Sequence, residues 1–194
     1  WWRARAVSGE LIPHPDDPNA RCLHLRRPDD LPADGATWNF PNGWKGTLTT
    51  RLMRRPGSQG TIISLNDRMF DPTNDEGERL AVFSVPIDGD GRCGEQTLKA
   101  GRWYDLTLSW DLDAGQCTLQ VDGQDAGTLP LRQPTLNGLS YVRFRSASSD
   151  VDPAGILIDS VEVEIEDPYA PVVTSEQQAE HERHYVETVV SQWE

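Results

Sequence analysis

No run of 18 apolar residues occurs in this sequence, so no helix is expected to cross a bilayer. Basic residues are scarce: 18 Lys and Arg stand against 31 Asp and Glu, a formal net charge of −13. With no basic stripe to displace condensed counterions, nucleic acid is not an expected partner; Arg51, Arg54 and Arg55 form only a small, interrupted patch. Cysteine is limited to Cys22, Cys93 and Cys117, without CxxC spacing, which argues against a zinc knuckle. Two of them could pair and leave the third free, with Cys93 and Cys117 flanking a predicted strand pair; three separate buried thiols fit equally well. The common signatures of phosphate loops, zinc peptidases (HExxH) and serine hydrolases (G-x-S-x-G) are all missing. The start, Trp1-Trp2-Arg3-Ala4-Arg5, carries neither an initiator Met nor a leader-like apolar stretch and reads as a processed or excised beginning.

What is present is a globular balance, 37% hydrophobic and 25% charged, in a chain of 194 residues that can bury one sizeable core. Short strands separated by turn signals predict an all-β, two-layer antiparallel sandwich. Strands are expected over residues 21–25, 37–40, 46–54, 61–66, 79–86, 102–111, 117–121, 139–145 and 155–166. The pair 46–54 and 61–66 is expected to meet across Pro56-Gly57-Ser58, and 67–78 to form a loop. Tyr104, Leu106, Leu108 and Trp110 recur at every second position, which places them on one face of a strand. Asp113-Ala114-Gly115 turns the chain back, so Trp110 should face Cys117; Asp122-Gly123 starts the next reversal. In the last strand Leu157, Val161, Val163 and Ile165 alternate with polar residues, and Asp159 interrupts the apolar side. No crossover helix separates these strands, which excludes a parallel α/β sheet. Residues 1–168 therefore read as the sandwich and 169–194 as linker and helix, with Ser175 as cap, Gln178 as its reciprocal partner and an apolar stripe at Val186, Val189, Val190 and Trp193.

Glycoside hydrolysis needs two opposed carboxylates, and the acids here sit mostly in turns. Glu162 and Glu164 share a strand face that alternation aims at solvent. Hard cations favour loop carboxylates, so Asp150, Asp152 and Asp159 are candidate ligands for a structural calcium, with the 67–75 loop an equal competitor. His181 and His184 lie three apart on the predicted helix, a spacing that suits a metal but more often marks a surface pair. Seven tryptophans need a thick core or a stacking surface. Trp38 and Phe40 are assigned to the core, whereas Trp44, beside Asn42, is the candidate for stacking on a sugar. In the strand 139–145, Val142 and Phe144 should point inward. That leaves Tyr141, Arg143 and Arg145 on the other face, to meet an acidic sugar or to pair with Asp150 or Asp159.

The segment Gly101-Arg102-Trp103-Tyr104-Asp105-Leu106, followed by Leu119, Val121, Asp122 and Gly123, resembles the hairpin of concanavalin A-like and laminin G-like jelly rolls. The segment from Asn137 through Leu139-Ser140-Tyr141-Val142-Arg143-Phe144-Arg145 is similar to jelly-roll modules appended to bacterial sialidase-like and other glycan-processing proteins. The likeness covers roughly residues 20–166. It implies a secreted setting, extracellular or periplasmic, and association with a carbohydrate-active enzyme. It does not imply an active site: the Asp-box repeats of sialidase propellers and the E-x-D-x-x-E motif of the family's glucanases are both missing. The first reading is thus a non-catalytic accessory module braced against a catalytic neighbour, needing no cofactor beyond a candidate calcium. Direct glycan binding is the second reading, and a self-contained glycoside hydrolase the third.

Overall fold

The structure, a computed structural model, describes residues 8–29, 35–68 and 75–190. The Trp1-Trp2 start, Trp193 and the middle of the 67–78 loop lie outside them. In chain order the strands are β1 Gly9–Pro13, β2 Arg21–Arg27, β3 Ala36–Gly43, β4 Lys45–Arg54 and β5 Gly60–Asn66. After a 3-10 turn, Asp75–Leu80, come β6 Phe83–Asp88, β7 Arg92–Cys93, β8 Gln96–Thr97 and β9 Trp103–Asp111. Then follow β10 Gln116–Val121, β11 Gln124–Pro130, β12 Leu139–Ser146, β13 Asp152–Asp167 and the helix α1 Ser175–Val190.

The strands form two antiparallel sheets, one in the order β1-β2-β13-β4-β9-β10-β11 and the other β3-β12-β5-β6-β7-β8. The result is a jelly-roll sandwich with an added helix. Alternation decides what lies between the layers: Leu48, Leu52, Leu106, Leu108 and Leu119 come from one sheet, and Ile63, Leu65, Phe83, Val142 and Phe144 from the other. Trp110 and Cys117 face each other in register, as their spacing predicts. At the following reversal Asp122 and Gly123 both adopt positive φ, 50° and 74°, the backbone a two-residue hairpin of the right twist requires.

Four expectations need correction. Trp38, assigned to the core with Phe40, is 42% exposed because β3 lies at the sheet edge, whereas Phe40 is buried. β4 and β5 do not pair; they fall in different sheets, and the link between them crosses the end of the sandwich. The Pro56-Gly57 signal encodes a reversal but not the layer to which the chain returns. β3 runs on through Pro41, because it lies at a sheet edge where a missing N–H costs no ladder bond. The helix is capped by Thr174, whose Oγ1 accepts from Gln177 N–H at 3.2 Å while Gln177 Oε1 accepts from Thr174 N–H at 2.9 Å. This reciprocal pair lies one residue before the one expected at Ser175 and Gln178.

The Asp159 exception also has a physical cause. Ile156 and Ile158 face the core, the register against β4 shifts between Ile158 and Ser160, and Val161, Val163 and Ile165 then resume the core side. This bulge changes the phase of the strand, so Leu157 and Asp159 lie on the outer face. There Leu157 packs with Cys22, Met53 and Trp103. Beyond the bulge, β2 no longer accompanies β13, and among the described residues, 160–167 have a ladder partner only in β4.

All three cysteines are free and buried, which leaves no disulfide. Burial pushes the Cys93 and Cys117 thiols up to about 12, and burial beside the Asp159 carboxylate also raises Cys22. A thiol reagent at pH 8 should therefore label none of the three in the folded chain and all three in denaturant. Rapid native labelling would show that this core opens.

Candidate functional site

The outer face of the six-stranded sheet is built by the phase opposite to its core residues. Ile63 and Leu65 point inward, so Ser64 and Asn66 point out; Val142 and Phe144 do the same for Tyr141, Arg143 and Arg145. Register then sets the neighbours. Tyr141 lies between Asn39 of β3 and Asn66 of β5, and Arg143 lies between Thr37 and Ser64. Ser84 of β6 stands opposite Ser64. The expected grouping of Tyr141, Arg143 and Arg145 is thus realised, on a face that is polar across four strands.

This face is largely buried. Asn66 is 0% exposed and Arg143 only 2%, although neither belongs to the apolar core. Asn66 Nδ2 donates to Ser64 O at 3.2 Å and Ser64 Oγ at 3.3 Å, which fixes the amide. Its Oδ1 is buried with no hydrogen-bond partner among the described residues. From the 3-10 turn, Glu78 reaches over β6, where Oε1 accepts from Ser84 Oγ at 2.8 Å and from Arg132 Nη1 at 3.3 Å. Glu78 Oε2 likewise has no partner among the described residues. Buried acceptors normally find donors, and these two, on either side of the Ser64–Ser84 pair, find none among the described residues.

The other sequence candidates do not join this face. Trp44 is 7% exposed, and its indole Nε1–H donates to Asp113 Oδ1 at 2.8 Å. It is therefore a buried ring tied to a turn, not an open stacking surface. The same Asp113 takes Lys45 Nζ at 2.8 Å, and Lys45 also meets Asp111 at 3.1 Å. Hydrogen bonds from Lys45 and Trp44 hold Asp113 below the usual carboxylate range, and the same carboxylates raise Lys45. Asn42 Nδ2 donates to Pro168 O at 3.5 Å, away from β12's outward side chains.

The three calcium candidates do not form one ligand cluster. Asp150 is exposed. Asp152 is buried and braces the β4–β5 link, with Oδ2 accepting from Gln59 N–H and Oδ1 from Gly155 N–H, both at 3.0 Å. Asp159 lies on the opposite sheet with His14 at 3.7 Å and Arg51 at 3.5 Å, so it is no partner of the β12 arginines. His14 also stacks on Trp103 with ring centroids 4.8 Å apart, and Trp103 Nε1 donates to Asp16 at 2.7 Å. Among the described residues, no group of three or more His, Cys, Asp or Glu is arranged to hold a metal ion. Glu162 and Glu164 are exposed, as alternation predicts.

Sequence reasoning missed Ser64, Asn66, Ser84 and Glu78. The alternation of residues 61–66 carries the signal for two of them, but pairing β5 with β4 placed them beside the wrong neighbour.

No protein-family model and no curated protein matches the chain. Among solved structures, a sialidase is 15% identical over 75% of this chain, with a TM-score of 0.58, and the match spans 15% of that protein. A Caenorhabditis elegans galectin is 13% identical, covering 67% of this chain and 90% of its own, with a TM-score of 0.49. A toad ovary galectin in complex with thio-digalactose is 8% identical, covering 67% and 98%, with a TM-score of 0.46. At these identities the sialidase likeness is one of fold: the chain shares its sandwich with a small part of that enzyme.

Proposed function

We propose that this chain is a glycan-binding, lectin-like module whose site is the polar outer face of the six-stranded sheet, entered beside the half-buried Tyr141 and Arg145. The observation that supports the reading is the polar outer face on which Tyr141, Arg143 and Arg145 gather, where two acceptors, Asn66 Oδ1 and Glu78 Oε2, have no partner among the described residues. Neighbouring strands lie roughly 4.8 Å apart and alternate residues roughly 7 Å apart, which spreads these groups over the breadth of a sugar ring. Sugar hydroxyls donate and accept at once, so they satisfy carboxylate, amide and guanidinium groups together. The setting proposed is a larger secreted carbohydrate-active protein. The sandwich that occurs as a 15% portion of a sialidase is a precedent for that arrangement, not for its activity.

A glycan array compares the wild type with Glu78→Gln and Asn66→Ala. Glu78→Gln keeps the shape and the Ser84 contact but places a donor where Oε2 accepts. A lost hydrogen bond to a charged group is worth about 1.5–3 kcal/mol, so binding should fall roughly ten- to a hundredfold with the fold retained. A blank array, or binding that neither substitution weakens, refutes the proposal.

A further inference from the structure

Where β5 ends, the chain passes through Asp67 to Arg68, and α1 comes close to Arg68 and the 133–137 segment. Between them is a cavity of about 290 Å³, lined by Arg68, Leu136, Asn137, His181, Glu182 and Val186, with Gln178 at the helix start. Its floor is braced: Asp67 Oδ2 accepts from Thr135 Oγ1 at 2.8 Å and from Asn137 Nδ2 at 3.3 Å. Its wall is held by a hydrogen bond between His184 Nε2 and Gln133 Oε1 at 2.6 Å. Arg68 follows Asn66 by two residues, so their Cα atoms are at most about 7 Å apart and the cavity lies next to the β5 end of the polar face.

The lining is chemically mixed in a specific way. Leu136 and Val186 supply apolar surface, and Arg68 supplies a cationic donor. His181 Nδ1 is buried with no hydrogen-bond partner among the described residues. Glu182, tied through Oε1 to Gln178 Nε2 at 2.7 Å, adds a negative charge. An acetamido group presents a methyl, a carbonyl oxygen and an N–H, which need an apolar seat, a donor and an acceptor. A bare hydroxyl leaves the apolar seat empty, a free ammonium meets Arg68, and a carboxylate meets Glu182.

Resting on the glycan-binding reading, we infer that this cavity is a second subsite that takes the acetamido group of an N-acetylated amino sugar. The methyl sits on Leu136 and Val186, the carbonyl accepts from Arg68, and the N–H donates to His181 Nδ1. The carboxyl-terminal helix is then part of the binding site.

The test uses the full chain on immobilised glycan pairs that differ only at this substituent: N-acetylglucosamine with glucose, and N-acetylgalactosamine with galactose, at the same linkage. The wild type should favour the acetylated member at least tenfold. His181→Ala and Val186→Asp should remove that preference while leaving binding of the plain sugar unchanged, whereas Glu78→Gln should weaken both members. Equal binding within the pairs, or a preference that survives both helix substitutions, overturns the inference and leaves the glycan-binding reading standing. A chain that binds neither member of any pair overturns both.

Discussion

Trp110→Ala should destabilise the sandwich by about 3–5 kcal/mol, measured by urea unfolding, the range for truncating a buried aromatic ring. Trp110 is buried on β9 and packs against Phe40 of the opposite sheet at 6.0 Å between centroids. Its Nε1–H donates to Gly43 O at 3.3 Å. The ring lies where side chains at Gly43 and Gly46 would be. A Cβ at Gly46 would approach Trp110 Cζ2 and the Glu164 carbonyl to 2.6 Å each. Gly46→Ala should consequently destabilise as well, by about 1–3 kcal/mol, because a backbone carbonyl cannot yield. In the Trp110→Ala background, however, only the carbonyl clash remains, so the two losses should sum to more than the double variant shows. Strict additivity would mean the ring and the glycine do not share this space.

Arg54→Met should cost about 2–4 kcal/mol, although the substitution is apolar and the site buried. The Arg54 side chain is 4% exposed at the end of β4, and its guanidinium donates to the carbonyls of Leu98, Ser58 and Gly89. It thereby clasps three segments: the β4–β5 link, the turn after β6 and the approach to β9. A methionine leaves those acceptors without their donor, at about 1–3 kcal/mol for each one that water cannot reach. An open pocket of about 570 Å³, lined in part by Asp90 and Lys99, admits water from one side and keeps the total at the lower end of that sum. Arg54→Lys should recover only part of the loss, since an ammonium cannot span the three carbonyls with the planar fork. A methionine variant as stable as the wild type would show that the clasp contributes nothing.

The layers were legible because the alternation is strong where both faces have one character. Tyr104, Leu106, Leu108 and Trp110 against Cys117 and Leu119 needed nothing beyond period two and a turn. Legibility failed wherever a strand's neighbour decided the outcome. Nothing in residues 55–59 says that the chain changes sheets, so Asn66 and Ser64 could not be placed beside Tyr141 and Arg143. Trp44 looked exposed because it follows a turn motif; it is buried, and its indole N–H is tied to Asp113, 69 positions away. Glu78 belongs to a short 3-10 turn with no periodic signature and matters only because Ser84 lies beneath it.

Past the bulge at Asp159, β13 has no second ladder neighbour among the described residues. An unclaimed stretch of backbone like this is an invitation to another chain, and the sequence places Glu162, Glu164 and Glu166 along it, all exposed. Two copies approaching there would bring six carboxylates together before any backbone hydrogen bond could form. Like charge therefore opposes edge-to-edge pairing along this stretch.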